Sequence, residues 1–521
     1  MTRALFLLTD TDLWFDVIND LSNSYNVMPS FFIGENASGA RLQRVFGTSI
    51  MSRKDLFNVF DKDKYTKSID CELLMRISYS EPILNEMLTR YMVGKLDYHA
   101  MRSYFLDSLA ITLGIIKKHK IDLIVCGSVP HRYHDYMFYV LSKALNLVFV
   151  THETTLVNNR SYIISSLEDR SLVFSLKNRV KFNPSNEAIE CYNKIRLEKK
   201  AIKLDYITGS GPRAINKGDR PIYISIRRSI AFMVKMFFFG ALFRKDKSKI
   251  SDYTYRVFPN ISNPSLFSLG LNRIKNVIKI NACISFYKKN AFYANSQESY
   301  ILFAAHFQPE RSTCPDGGYF SDLRLAIDML YNALPDGMYL YYREHPTTFK
   351  ILDVIGSPRS LKFYSDLKMK YPRLKFIQTD ENMVGLIESS KAVSTITGSV
   401  GWEAIIKGKP VFLFGDSWYR HAPNVFSVDD SKQLKNAILT SLLDDYDYKY
   451  EILNFIDSVF QKTTDFSKLQ HSNIAFRKNI DSSQYYKKGD QISFKLATMI
   501  YNVYTENIIK EKKPANAKKN F

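Results

Sequence analysis

The stretch "STITGSVGWEAIIKGKPVFLFG" at 394–415 decides the fold. It carries the end of a short apolar strand (391–396), breaks at Gly398 and Gly401, resumes as a helical pattern over 400–407 and returns to an apolar strand over 410–414. Strand, turn, helix and strand in succession make one crossover unit of a parallel sheet. The two glycines permit a tight turn, and Ser399 can cap the helix while free backbone N–H groups and the helix dipole face an anion. Glu403, early in the helix, can accept hydrogen bonds from a ribose diol. The same residues also make an ordinary capped turn in which Glu403 merely favours the dipole.

Working outward, the alternation persists. Strands are expected at 300–306, 338–344, 374–378, 391–396 and 410–414, with helices near 320–333, 360–370, 381–390 and 400–407. The first part of the chain shows a similar pattern, with strands at 3–8, 27–33, 121–126 and 147–150 and helices at 97–118 and 133–145. The expected class is α/β, with two Rossmann-like domains facing a cleft and a helical C-terminal segment. Five segments follow: an N-terminal Rossmann-like domain at 1–215, a basic and aromatic connecting region at 216–298, a second Rossmann-like domain at 299–424, helices at 425–508 and a frayed basic tail at 509–521.

The 521 residues are 45% hydrophobic, enough for large cores, and the formal charge of +20 points to an acidic partner. Cys71, Cys126, Cys191, Cys283 and Cys314 lie far apart with no C-x-x-C pair, which argues against a disulfide framework or a thiolate zinc site and fits a reducing cytosol. The N-terminal apolar run, Ala4 to Leu8, is too short for a secretory signal. No stretch reaches the roughly 18 uninterrupted apolar residues of a spanning helix. The nearest, at 229–243, has Lys235 in its middle and basic residues on both sides through 249. It can lie at a membrane interface with its basic ends on anionic headgroups, or line a groove with snorkelling ends.

In open parallel sheets, ligands sit beyond the carboxyl ends of the strands. Four polar segments stand at those ends: "HFQPERSTCPDGG", "REHPTT", "TGSVGWEA" and "GDSWYRHAP". Pro346 stops its strand and holds His345 at the sheet edge, where an imidazole can donate to a phosphate oxygen or a leaving group. Arg343 and Glu344 alternate across the strand, so only one of them is expected to face the crevice. Group transfer at an anomeric carbon needs a carboxylate, and the candidates are Glu310, directly after a strand, and Asp316, in a turn that its own chemistry also explains. Gln308 or Arg311 can hold a substrate hydroxyl or carboxylate. In the N-terminal domain, His131, Arg132, His134 and Asp135 follow one strand and His152 and Glu153 end the next, a candidate acceptor side. The H-x-x-H-D spacing matches no common zinc pattern, and no metal is expected. Walker A and G-x-G-x-x-G patterns are absent, which disfavours a kinase or a dinucleotide oxidoreductase.

Taken together, Q-P-E at 308–310, H-P at 345–346 and "TGSVGWEAIIKGKPVFLFG" resemble the bacterial capsule-synthesis glycosyltransferases, the group that includes the β-Kdo transferases. The resemblance covers about 299–420; over 1–155 only the alternation matches. It implies a GT-B-like pair of domains and a CMP-activated ulosonic acid as donor, with no other cofactor. It further implies that His345 and Pro346 meet the CMP phosphate, that the turn of Ser394, Thr395, Thr397, Gly398, Ser399 and Gly401 seats the nucleotide, and that Glu403 holds the ribose. Glu310 then falls in or beside the catalytic carboxylate position, with Asp316 as the alternative because Arg311 and Ser312 follow Glu310. The implied acceptor is an oligosaccharide or lipid-linked glycan. The implied setting is the cytoplasm, with possible contact to the inner face of the inner membrane through 229–249.

Other readings use the same features. A CDP-alditol phosphotransferase of teichoic-acid type, a transferase using UDP- or GDP-sugars, and a nucleotide-sugar epimerase or hydrolase all fit the fold. Charge alone would allow a nucleic-acid binder, but the lysines are dispersed and no recognition signature is present, so no nucleic acid is expected.

Overall fold

A computed structural model of the chain describes residues 1–8, 12–34, 36–57, 65, 67–89, 98–175, 183–199, 227, 230, 231, 234, 266–308, 311–349, 359–466 and 491–512. These fall into two compact units: Met1–Asn85, Tyr98–Arg170 and Thr463–Phe521 form the first, and Glu86–Asp97 with Ser171–Lys462 form the second.

The first unit is built on six strands: β1 (Thr2–Leu7), β2 (Val27–Gly34), β3 (Ser49–Ser52), β4 (Leu123–Cys126), β5 (Val148–Thr154) and β6 (Ser161–Ile164), in the order β3-β2-β1-β4-β5-β6. All neighbouring pairs are parallel except β5 with β6. Crossover helices include α1 (Asp12–Tyr25), α2 (Asn36–Phe46), α3 (Tyr98–His119) and α4 (Tyr133–Ala144). The expected strands and helices of this half are present, and β3 and β6 are additions that short half-apolar runs did not reveal.

The second unit carries α5 (Leu266–Asn290), β7 (Ala291–Phe292), β8 (Tyr300–Ala304), α6 (Leu323–Ala333), β9 (Tyr339–Arg343), α7 (Leu361–Lys370), β10 (Leu374–Ile377), α8 (Met383–Ser389), β11 (Ala392–Thr395), α9 (Ser399–Ile406), β12 (Val411–Leu413), β13 (Val425–Ser427), α10 (Ser431–Leu443) and α11 (Lys449–Lys462). Its strands lie in the order β13-β12-β11-β8-β9-β10-β7, all parallel. All five residues of β8 are buried, as a central strand covered on both faces requires. Its helices start where local chemistry directs: Asp322, Ser360 and Asn382 each accept a first-turn amide, capping α6, α7 and α8. On α6, Leu323, Ala326, Ile327 and Leu330 recur at helical spacing and enter the core with Phe303, Leu340, Tyr342 and Phe412.

The helical segment read at 425–508 is divided. It begins with the strand β13, α10 and α11 stay with the second unit, and α12 (Ile492–Lys512) belongs to the first. There Leu496, Ala497 and Ile500 join the core of Trp14, Val17, Ile18 and Leu21. Tyr501 stacks on Tyr25 with ring centroids 4.6 Å apart, and the Tyr25 and Thr498 hydroxyls are 2.6 Å apart. Neither unit contains a described helix long and apolar enough to cross a membrane. The basic amphipathic stretch at 229–249 lies outside the described residues, apart from helical positions at 230, 231 and 234, as does the tail beyond 512.

Candidate active site at the carboxyl edge of the second sheet

The second sheet reverses its winding between β8 and β11: the chain runs outward from β8 through β9 to β10, then returns to β11 and leaves the other way through β12 and β13. Such a switch point opens a crevice beyond the strand ends. Phe303 pairs with Ser394 and Ala304 with Arg343, so segments 305–308, 344–346 and 395–399 emerge side by side.

The turn after β11 is built from within. Thr395 Oγ1 accepts the Gly398 amide at 3.2 Å, and Thr397 donates its hydroxyl to the Ser312 carbonyl at 2.6 Å. The Thr397 amide donates to His306 Nε2 at 3.3 Å, and the Tyr419 hydroxyl donates to the Gly398 carbonyl. Ser394 is buried, its hydroxyl spent on the Phe412 carbonyl at 3.2 Å. The expected cap is corrected: Gly398 occupies the cap position and makes no side-chain cap, while Ser399 is the first helical residue. Gly398 is required because a Cβ there would stand 2.7 Å from Thr395 Oγ1 and 3.3 Å from the His306 ring. The amides of Ser399 and Val400 are the first-turn donors that these groups do not engage.

At the end of β9, the pair Arg343 and Glu344 divides as alternation requires, but neither side chain is open. Glu344 is completely buried. It accepts from Arg359 Nε at 2.9 Å, from the Tyr342 and Tyr364 hydroxyls at 2.8 Å each, from the His345 amide at 2.9 Å and from Thr348 Oγ1 at 3.2 Å. Burial alone would raise its pKa; the Arg359 charge and the donors from Arg359, Tyr364 and Tyr342 outweigh burial and hold it below the usual carboxylate range. Arg343 turns toward β10 and donates to the Thr379 and Glu381 carbonyls at 2.8 and 3.2 Å, and burial pulls its pKa down. His345, by contrast, is exposed, and Pro346 opens a short 3-10 turn behind it. Glu344 thus braces the turn that presents His345.

Arg359 is the organising residue that the sequence reading missed. Besides Glu344, it donates to the Gln308 side-chain oxygen and, at 3.0 Å, to the His306 carbonyl, so one buried guanidinium joins the ends of β8 and β9. A sequence signal existed: a glutamate at the end of a buried strand requires a cation, and Arg359 directly precedes the Ser360 cap of α7.

Gln308, expected to hold substrate, is instead locked, with its amide donating to the Ser321 carbonyl at 2.6 Å and its oxygen on Arg359. Asp316 follows the cis Cys314–Pro315 bond and is buried, paired with the half-exposed Arg311 at 3.2 Å. Its backbone carbonyl accepts the Asp416 amide at 2.9 Å, tying the loop to the end of β12. Glu310 lies outside the described residues.

In the first unit, the candidate acceptor residues sit at the carboxyl ends of β4 and β5, but most are turned inward. Asp135 is buried on Arg53 at 2.5 Å; burial pushes its pKa up, and Arg53 and Arg132 together bring it below the ordinary value. His134 is buried and held neutral, its pKa pushed down to about 3 by burial. Glu153 is buried against Arg170 at 3.3 Å and accepts from the Tyr162 hydroxyl across the β5–β6 pair. His152 is buried beside Trp14. His131, whose Nδ1 is 2.8 Å from the Val129 carbonyl, and Arg132 remain partly exposed. The correction is that Asp135 and Glu153 are each buried beside an arginine, because a carboxylate in a strand-end core is stable only with its cation.

Residues 244–423 match the family model described as capsule polysaccharide biosynthesis protein. The matched stretch lies within the second unit. Protein FixF of Sinorhizobium fredii (strain NBRC 101917 / NGR234) is 32% identical over 143 residues, covering 26% of this chain and 32% of FixF, so the match spans about a third of that relative. Among solved structures, the beta Kdo 2,4 transferase of Thermosulfurimonas dismutans KpsC covers 68% of this chain and 87% of its own at 11% identity and a TM-score of 0.29. The UDP-GlcNAc 2-epimerase of Methanocaldococcus jannaschii covers 87% and 98% at 12% identity and a TM-score of 0.23. The two parallel-rich sheets of the chain itself make the fold GT-B-like α/β.

Within the matched stretch, the structure brings together the glycine turn, His345 and, unforeseen, His306. Gly401 serves packing: a Cβ there would lie 2.4 Å from the Tyr419 hydroxyl, and the Tyr419 ring packs beside the Trp402–Trp418 pair. Gly401→Ala is therefore expected to displace the tyrosine that holds the turn and to destabilise the second unit by about 1–3 kcal/mol in chemical unfolding. Glu403 is buried near the same phenol, whose ionisation burial, with Glu403, pushes up.

Proposed function

We propose that the chain is a glycosyltransferase of bacterial surface-polysaccharide synthesis that takes an acidic, Kdo-like ulosonic acid from a CMP-activated donor to a glycan acceptor. One observation carries this reading: within the stretch that matches the capsule-synthesis family model, the glycine turn after β11 and His345 after β9 stand on the two strand ends that flank β8 at the switch point. First-turn amides of α9 and an exposed imidazole are donors suited to one phosphate. The neighbouring guanidinium of Arg359 is committed to Glu344, and Arg343 to backbone carbonyls, which favours a monophosphate linkage over a diphosphate. A single phosphate needs no metal to neutralise it. Nucleotide is assigned to the carboxyl edge of the second sheet, with the Ser399 and Val400 amides and His345 on the phosphate, the Gly398 turn behind them and Glu403 toward the ribose. Glu310 or Asp316 assists transfer.

The test is a thermal-shift titration with CMP, CDP, UDP and GDP, since a ligand that binds only the folded state raises the melting temperature. CMP should stabilise the protein most, and His345→Ala should reduce that shift, measured from the variant's own ligand-free melting temperature. A larger response to CDP would favour an alditol phosphotransferase, and one to UDP or GDP a different sugar donor; either would overturn the CMP assignment.

A further inference from the structure

We infer that His306 is a further ligand-contacting residue of this site, its Nδ1–H donating to a phosphoryl oxygen of a nucleoside monophosphate held at the Gly398 turn. The inference rests on the nucleotide reading above and adds a residue that no motif marked. His306 follows β8 at the switch point and is 7% exposed. Its Nε2 accepts the Thr397 amide at 3.3 Å, so the lone pair resides on Nε2 and the proton of the neutral ring on Nδ1. Burial first, then the nearby His345 and Arg359 charges, pushes its pKa down to about 3, so the ring stays neutral and that tautomer persists. The Nδ1 atom is buried with no hydrogen-bond partner among the described residues. A buried N–H left unmatched is unfavourable, and the place where it occurs is the candidate anion seat.

The remaining geometry agrees. The His306 ring lies against Gly398, where even a methyl group would come within 3.3 Å, so the turn's backbone and the imidazole form one wall. Arg359 holds the His306 carbonyl at 3.0 Å, fixing the backbone from which the ring projects. His345 is close enough to contribute to the His306 pKa, so the two imidazoles share one neighbourhood with different tasks: a neutral, oriented donor and an exposed, titratable one.

The experiment compares CMP with cytidine, which lacks the phosphate, on the full-length protein. Wild type should bind CMP more tightly than cytidine. His306→Phe, which keeps a ring and loses both nitrogens, should weaken CMP binding about ten- to a hundredfold and leave cytidine binding little changed, the loss expected for one hydrogen bond to a charged acceptor. His306→Asn, which restores a donor near Nδ1, should recover part of the preference. Because either substitution removes the acceptor of the Thr397 amide, a second measurement uses the unaltered sequence: nitrogen NMR of histidine-labelled protein, in which the His306 Nδ1–H signal should move downfield with CMP and stay with cytidine. A CMP preference that survives His306→Phe, or an Nδ1 signal unmoved in a CMP-saturated protein, overturns the inference while leaving the nucleotide reading intact. No response of wild type to CMP overturns both.

Discussion

Arg359→Ala is expected to destabilise the second unit by about 3–5 kcal/mol, because it leaves Glu344 as a buried charge without its cation. The Arg359 side chain is 4% exposed and that of Glu344 not at all, so neither can be compensated by solvent. Chemical unfolding followed by tryptophan fluorescence reads this directly, since Trp402 and Trp418 both lie in that unit. The loss should carry a pH signature. In the folded protein Glu344 titrates below its unfolded value, so its stabilising contribution is complete above about pH 4.3 and is lost as the pH falls through the lower folded value. Removing Arg359 takes away the charge that opposes burial, and the carboxyl then protonates more easily. The gap between wild type and variant is therefore largest near neutrality and narrows below about pH 4.3. A gap that does not change with pH would mean that lost packing, and not the buried ion pair, accounts for the effect.

Glu153→Ala is the second large effect, and it separates two roles for one residue. If the carboxylate serves chiefly to neutralise Arg170, its removal strands a guanidinium that is 2% exposed and should destabilise the first unit by about 3–5 kcal/mol. Hydrogen exchange should accelerate in peptides covering β5 and β6, where Glu153 and Tyr162 are paired across the strands. A variant with unchanged exchange but weakened acceptor binding would instead return Glu153 to the acceptor surface. The same logic applies less strongly to Asp135, whose arginine, Arg53, is slightly more exposed.

Much of the fold is legible because its signals are local. The apolar runs at 300–306, 338–344 and 391–396 correspond to β8, β9 and β11, and the cap at Ser360 marks the start of α7. Strands escaped where the local signal was weak: β7 has two residues, and β13 three, all only partly buried. β6 is antiparallel in a parallel-rich sheet, so the alternation that found its neighbours did not apply to it. The helical character of 492–508 was visible, but not its destination on Trp14, Val17 and Tyr25, since an amphipathic face states that it needs a partner without naming one.

The sequence by itself determined that this chain alternates strands and helices, that a glycine turn and a His-Pro step end two strands of one sheet, and that the stretch around them resembles capsule-synthesis enzymes. These are properties of spacing and residue type, which the backbone obeys locally. Only the tertiary structure decided which polar residues at those strand ends are open and which are consumed. Arg359 reaches Gln308 across 51 positions and Glu344 across 15, and Thr397 reaches His306 across 91. Those contacts exist because sheet order sets β8 between β9 and β11. A buried charge must find its counter-charge and a buried donor its acceptor wherever strand order places them, so the division between structural and ligand-facing groups is settled in three dimensions.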